Sequence, residues 1–574
     1  MAEVRELYER TCSAPDGFRL ETLLKEMQVD LQLQPADLER IPAKGPLVAV
    51  ANHPFGVLDG AALGALLSRV RPDVRVMTNA LLEGIPELHK HCIFVDPFHT
   101  ASSAERNLKA LKQAVEWLRQ GGALAVFPAG EVSQWNVGKA QIADPAWNTI
   151  AARLVRKTGA SALPVYFCGR NSVAFQLLGL IHPRLRTLVL MQEFLQQRGN
   201  TLEVRVGTSI PADLIAGIEN AREATEYLRL RTYLLSYRGK KEISLPTKMR
   251  SVMPRKAQET IVSAVPQTRL VGDIESLPPE QLLTESNEFA VYAARAAEMP
   301  NLLEELGRLR EVTFRAAGEG TGKSADLDQF DEHYWHLLLW SKEKQELAGA
   351  YRAGNTDEII RTHGIKGLYT HTVFRYDERL FMKIGSALEL GRSFVRTEYQ
   401  RQYAPLLQLW KGIARFVASR PQTPVLFGAV SISNEYSRLS REMIVSYFES
   451  RDDGREFADL IQPRTPFRTP KLRRWDCRAL CDALNNLDEL AEPISDVEED
   501  GKGLPILIRQ YDKLGGKLVG FNLDRKFSDV VDGLVIVDLR QTDPTVLERY
   551  MGKEGYAGFR RFHKMDSPTP SRLY

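Results

Sequence analysis

Residues 46–60, PLVAVANHPFGVLDG, read as a covered strand that runs straight into a tight turn and the start of a helix. Leu47 to Ala51 form an unbroken apolar run of strand length, the pattern of a strand buried on both faces of a parallel sheet. Pro54 and Gly56 then mark a turn, with His53 before it and Asp59 after it. In such sheets ligands and reacting groups gather at the carboxyl ends of the strands, which is where this pair falls. A neutral imidazole can take the proton of an attacking hydroxyl, and a carboxylate on its other ring nitrogen fixes the tautomer and steadies the imidazolium. Taken alone, Asp59 reads as readily as a helix cap.

The same pattern continues on either side. DVRVMT (73–78), CIFVD (92–96), ALAVF (123–127) and ALPVYF (162–167) are strand-length apolar runs. Between them, ERNLKALKQAVEWLRQGG (105–122) places Leu108, Leu111, Val115 and Leu118 at helical spacing before a glycine stop. Residues 1–237 are therefore expected to form one α/β domain. Residues 238–284 mix basic residues, prolines and isolated apolars without sustained periodicity and read as a connector. From 285 to 574, YWHLLLW, ELAGAYRAG, PVLFGAVSIS and GLVIVDLR predict a second α/β domain. SDVEEDGKG (495–503) reads as a solvated acidic loop.

With 574 residues, 44% apolar and 26% charged, the chain has the composition of globular material and the length of more than one domain. A net charge of +3 is too small to point to nucleic acid. The five cysteines lack zinc-ligand spacing and read as reduced thiols, and no metal is expected. No apolar run reaches membrane-spanning length and the first residues carry no leader pattern, so a cytoplasmic location is expected.

Two further strand ends sharpen the first site. NHPFGVLD (52–59), FVDPF (94–98), FPAGEVS (127–133) and LPVYF (163–167), in this order over roughly residues 45–210, resemble the four motifs of the glycerolipid acyltransferases, which transfer fatty acyl chains to lipid hydroxyls. The resemblance implies His53 as general base and Asp59 as its orienting carboxylate. It places Asn52, Phe127, Pro128, Gly130, Glu131 and Ser133 at the acceptor and Pro164 on the acyl side. Three departures stand out. Five residues, rather than the family's four, separate His53 from Asp59; FVDPF lacks the second motif's arginine; and FPAGEVS replaces FPEGTRS. A guanidinium suits a phosphate, so its loss implies an acceptor without one.

The second half carries ELGRLREVTFRAAGEG (305–320), DLDQFDEHYWHLLLW (326–340), ELAGAYRAG (346–354) and ALELGRSFVRTEYQRQY (387–403). Singly these read as solvated faces and structural ion pairs. Together they resemble the acyl-carrier-protein-dependent GNAT N-acyltransferases, in particular those acting on ornithine, over most of 288–465. In that family an amine attacks an acyl thioester. The resemblance implies substrate-binding roles for Arg310, Phe314, Asp328, Asp331, Arg352 and Arg392, with Glu389 accepting the proton or binding the amine and Asp331 behind it. LFGAVSISNEYSRLSREMI (426–444) reads as a strand entering a helix N-terminus, suited either to a phosphopantetheine linker or simply to a cap at Ser433. His333, His336, His363 and His371 lack metal-ligand spacing and read as structural.

The whole chain resembles the bifunctional ornithine lipid synthases of bacteria, a glycerolipid-acyltransferase-like α/β domain followed by a GNAT-like α/β domain. The resemblance implies that the second domain joins a 3-hydroxyacyl chain to ornithine and the first O-acylates the resulting lyso-ornithine lipid. Both donors would be acyl carrier protein thioesters, with no tightly bound cofactor. The enzyme would sit peripherally on the inner face of the cytoplasmic membrane surface, with 171–195 as its contact. Glycine, lysine or glutamine as head group, a single-step lysolipid acyltransferase with a carrier-docking domain, and a haemolysin-like membrane binder remain open.

Overall fold

The computed structural model describes residues 2–15, 17–96, 101–136, 141–176, 183–239, 258–451, 454–468, 480–481, 483–525 and 527–565. The chain forms two compact units, Met1–Lys241 with Lys471–Gly503, and Glu242–Pro470 with Leu504–Tyr574.

The first unit is built on β1 (Asp30–Gln32), β2 (Leu47–Ala51), β3 (Val74–Asn79), β4 (Cys92–Val95), β5 (Ala123–Val126), β6 (Ser161–Phe167) and β7 (Thr201–Val206). Their order is β1-β7-β6-β2-β5-β3-β4. All pairs are parallel except β6 with β7. β2 lies near the middle, between β6 and β5, and every one of its five residues is buried, as an all-apolar parallel strand requires. The carboxyl ends of β2, β5 and β6 therefore meet at one edge. The helix α1 (Val57–Ser68) follows β2 and packs Leu58, Leu63, Leu66 and Leu67 into the core beneath it.

The expected solvated acidic loop fails over residues 495–498, where Asp496, Val497 and Glu498 are buried, and is met at Glu499, Asp500 and Gly501, which are exposed. Asp496 is fully buried, near the end of α5 (Leu487–Val497), which packs in the first unit with α2 (Ala221–Leu234). Its carboxylate accepts hydrogen bonds from the Thr208 amide at 2.7 Å and hydroxyl at 2.9 Å, from Arg40 at 3.1 Å and from the fully buried Arg231 at 2.9 Å. Arg238 donates to its carbonyl at 2.8 Å and to Asp37 at 2.6 Å. A buried aspartate is tolerated because four donors, two of them guanidiniums, surround its carboxylate.

The second unit holds β8 (Leu282–Glu285), β9 (Phe289–Arg295), β10 (Trp335–Ser341), β11 (Glu346–Asn355), β12 (Ala387–Val395), β13 (Val425–Ile432), β14 (Lys517–Asp524) and β15 (Val530–Asp538). The sheet order is β8-β9-β10-β11-β12-β13-β15-β14, antiparallel except for β12 with β13. That pair shares register only over Ala387–Glu389 with Val425–Phe427. Beyond it β12 continues along β11 and β13 along β15, so the two strands part in mid-sheet. The expected connector differs in its later part: Gln267–Ser276 is a helix, and Val265, Leu270 and Leu277 join a core with Met299, Leu302 and Leu306 of the segment leading into and forming α3 (Pro300–Ala316). Those isolated apolars are the one buried face of a short helix and its flanks.

Candidate active sites

In the first unit the turn Asn52–Gly56 carries His53 from the end of β2 to the start of α1. His53 Nδ1 lies 2.9 Å from Asp59 Oδ2, and the same oxygen accepts the amides of Phe55 at 2.8 Å and Gly56 at 3.0 Å. Asp59 thus both caps the helix and holds the imidazole. The extra residue of the spacing is absorbed at Gly56, whose φ of 76° belongs to the left-handed region where a side chain is strained. A Cβ there would also lie 3.0 Å from Leu190 Cδ1. Asp59 is fully buried; burial pushes its carboxyl up, and the His53 and amide hydrogen bonds oppose that. With Nδ1–H donated to the carboxylate, Nε2 is left as the basic nitrogen. The His53 side chain is 18% exposed, and its ring stacks on Phe127 at 4.3 Å.

Of the other expected residues, Phe127 and Ser133 touch His53 and Asn52 precedes it in the turn. Pro128 and Ser133 are buried, Gly130 and Glu131 exposed, all on the segment leaving β5. Ser133 donates its hydroxyl to Asp144 at 2.5 Å and its amide to the His53 carbonyl at 2.8 Å. Asn52 pairs with the Phe167 backbone, donating to its carbonyl at 3.0 Å and accepting its amide at 2.7 Å, which ties the ends of β2 and β6. Pro164 is buried in β6 opposite Val50. Of FVDPF, Pro97 and Phe98 lie outside the described residues. The membrane-contact segment 171–195 lies partly outside them too; Val173 is 67% exposed, whereas Phe194 is buried. Among the described residues no helix is long and apolar enough to cross a membrane.

In the second unit all seven residues expected at the site come together. Arg310 on α3 donates to Asp331 at 2.8 Å. Arg352 on β11 donates to Asp328 at 2.6 Å and to Asp331 at 3.1 Å. Arg392, held at a φ of 47° on a bulge of β12, lies 3.4 Å from Asp326 and 3.6 Å from Asp328. Burial alone would raise Asp331, but the Arg310 and Arg352 guanidiniums beside it hold it well below the usual carboxylate range. Phe314 packs edge-on against Phe527, which in turn carries Arg392.

Glu389 is fully buried and its carboxylate accepts three hydrogen bonds. Tyr334 donates its hydroxyl to Oε2, Thr370 its amide to Oε1 at 2.6 Å, and Tyr369 its amide to Oε2 at 3.2 Å. Burial pushes Glu389 up and these bonds oppose it. Tyr369 lies between Arg352 at 4.8 Å and Arg392 at 5.0 Å. Tyr334, Tyr369, Asp326 and Phe527 were not singled out from the sequence; DLDQFDEHY contains two of them, but nothing in it marks which side chains face inward. His336 is buried and pushed down to about 4 by burial and Arg310, hence neutral. The helix α4 (Arg438–Ser450) follows β13, and its cap is Ser437, which accepts the Ser440 amide at 3.1 Å; Ser433 instead accepts the Glu435 amide at 3.2 Å. β12 and β13 part beyond Glu389 and Phe427, beside the charged cluster.

These two constellations, a histidine–aspartate pair at the end of a parallel sheet and a charged cluster beside parting strands, fit an enzyme that transfers acyl groups. The profile of a family described as Acyltransferase matches residues 28–240, and that of an Acetyltransferase (GNAT) domain matches residues 309–411. The chain is an acyltransferase with an O-acyl and an N-acyl domain. It is 30% identical over 273 residues to a glycine N(alpha)-acyltransferase of Phocaeicola vulgatus, across 45% of this chain and 82% of that one, and belongs to the same family. A glycine N(alpha)-acyltransferase of Bacteroides thetaiotaomicron is 29% identical over 296 residues, across 49% of this chain and 86% of its own. A lyso-glycine lipid O-acyltransferase of Phocaeicola vulgatus is 30% identical over 190 residues, across 32% of this chain and 66% of its own.

Proposed function

We propose that the chain performs two successive steps of amino-acid lipid synthesis. The second unit joins a hydroxyacyl chain to the α-amine of an amino acid, and the first unit O-acylates the hydroxyl so delivered. The observation that carries this reading is that one chain resembles two enzymes whose names describe consecutive reactions, N-acylation of glycine and O-acylation of a lyso-glycine lipid. Those names favour glycine over ornithine as the amine.

In the N-acyl step the amine attacks the thioester carbonyl, the C–S bond breaks, and the amine proton passes by way of the Glu389–Tyr334 pair to the departing sulfur, which leaves as thiol. In the O-acyl step His53 Nε2 removes the hydroxyl proton as the oxygen attacks a second thioester, Asp59 stabilises the imidazolium, and the C–S bond breaks as the imidazolium returns the proton to the sulfur, which leaves as thiol. Acyl carrier protein supplies both chains, and the lyso-lipid is met at a membrane surface. The absence of arginine from FPAGEVS supports an acceptor without phosphate. The test is supply of isotope-labelled glycine and ornithine, separately, to a host without aminolipids that expresses this chain. Label from glycine in a two-chain lipid supports the glycine reading, and label from ornithine alone replaces it.

A further inference from the structure

Asp144 lies 91 residues beyond His53 and outside every motif of the first site. We propose that it is the positioning residue for His53, a role that rests on the reading of His53 as the base of O-acyl transfer. Its carboxylate is buried, and both oxygens are engaged. Oδ1 accepts the His53 amide at 3.2 Å and the Ser133 hydroxyl at 2.5 Å, and Oδ2 accepts the Trp147 indole N–H at 2.9 Å. The His53 carbonyl accepts the Ser133 amide at 2.8 Å. Both main-chain groups of His53 are therefore held, its carbonyl by Ser133 and its amide by Asp144, and Asp144 closes that clamp.

The clamp is itself fixed from α2. The Asp144 amide donates to the Tyr233 hydroxyl at 2.9 Å, and Arg229 donates to the Asp144 carbonyl at 3.2 Å. Tyr233 packs edge-on against Tyr166 of β6 at 5.7 Å. The Asp59 bond and the Phe127 stack define where the imidazole points, but they act on the ring alone. Asp144 sets the main chain from which the ring extends. Without it the Ser133 hydroxyl and the indole N–H lose a buried acceptor and the His53 backbone loses one of two anchors, so Nε2 shifts relative to the acceptor hydroxyl. A misplacement of about 1 Å at a reacting group costs about 100-fold in rate.

Two readouts test this in the full chain. The first is the low-field Nδ1–H proton resonance of His53, assigned by its loss in His53→Ala. The second is the steady-state rate of O-acyl transfer to a lyso-aminolipid. In Asp144→Ala the resonance is lost and kcat falls about 10- to 100-fold with KM within about twofold. In Asp144→Asn, whose amide oxygen still accepts from His53 and Ser133, the resonance returns and kcat lies within about threefold of the parent. A parental resonance and kcat in Asp144→Ala overturn the proposal, as does a change confined to KM. Should the alanine variant fail to accumulate, Asp144→Ser decides, since its hydroxyl keeps a polar group in the pocket but stands one atom short of the His53 amide: a lost resonance with kcat lowered at unchanged KM upholds the role, and a parental kcat with parental resonance overturns it. A parent chain without O-acyl transfer sinks the functional reading instead, and the resonance alone then decides the role of Asp144.

Discussion

His53 Nδ1 and Asp59 Oδ2 are 2.9 Å apart although five residues separate them in the chain. The pair survives the longer spacing because Gly56 turns through positive φ and delivers Asp59 to the first turn of α1, where two backbone amides hold the same oxygen. His53→Ala therefore leaves the one-chain lipid as the end product. Asp59→Asn retains an oxygen for the amides but loses the charge that steadies the imidazolium, and kcat for O-acylation falls by about 10³- to 10⁴-fold. Lipid analysis and steady-state kinetics check both.

Gly56→Ala strains this turn from two sides, through its φ and through contact with Leu190. The expected cost is about 1–3 kcal/mol, read as a lower midpoint in chemical denaturation of the first unit, together with slower O-acylation.

Asp496→Ala leaves Arg231 buried without its principal charge partner and leaves Thr208 without an acceptor. Loss of one partner of a buried pair costs about 3–5 kcal/mol. Although residue 496 lies far along the chain from His53, the expected outcome is loss of O-acylation with N-acylation retained. Loss of N-acylation alone would contradict the assignment of α5 to the first unit.

Gly428 faces the Leu390 carbonyl where β12 and β13 part; an added Cβ would lie 2.1 Å from that oxygen. The obstacle is backbone, which cannot swing aside, so Gly428→Ala displaces β13 relative to Glu389. N-acylation falls at least about 10-fold, while O-acylation of supplied lyso-lipid stays at the parental rate.

Asp532 and Glu319 are pushed up to about 7, so the folded chain binds protons there that the unfolded chain has released above its ordinary carboxylate range. Their contribution is complete below about pH 4 and is lost as pH rises toward 7. Asp532→Asn removes this penalty for one site. The variant gains stability relative to the parent between pH 5 and pH 8, measured as the difference in denaturation midpoints.

Legibility from sequence followed distance along the chain. His53 and Asp59 could be read because the strand, turn and helix that join them occupy 14 consecutive positions, from Leu47 to Gly60. The charged cluster of the second unit could be read only as a set, since Arg310, Asp331, Arg352 and Arg392 meet through tertiary packing and each alone resembles a surface ion pair. Asp144 and Asp496 could not be read. One lies in ADPAW, with the look of a loop, and the other among acidic residues that suggest solvent; in each case the partners come from α2 and other distant segments. The helix at Gln267–Ser276 was obscured by its brevity, which presents too few apolar positions to show a period.

The most direct test of the central claim is mass spectrometry of lipids from a host lacking aminolipids, supplied with labelled glycine and a 3-hydroxyacyl donor. The intact chain, His53→Ala and Glu389→Ala are compared. The account predicts a labelled two-chain lipid from the intact chain, the labelled one-chain form from His53→Ala, and neither from Glu389→Ala. A two-chain lipid from His53→Ala, or no amino-acid lipid of any head group from the intact chain, would contradict it.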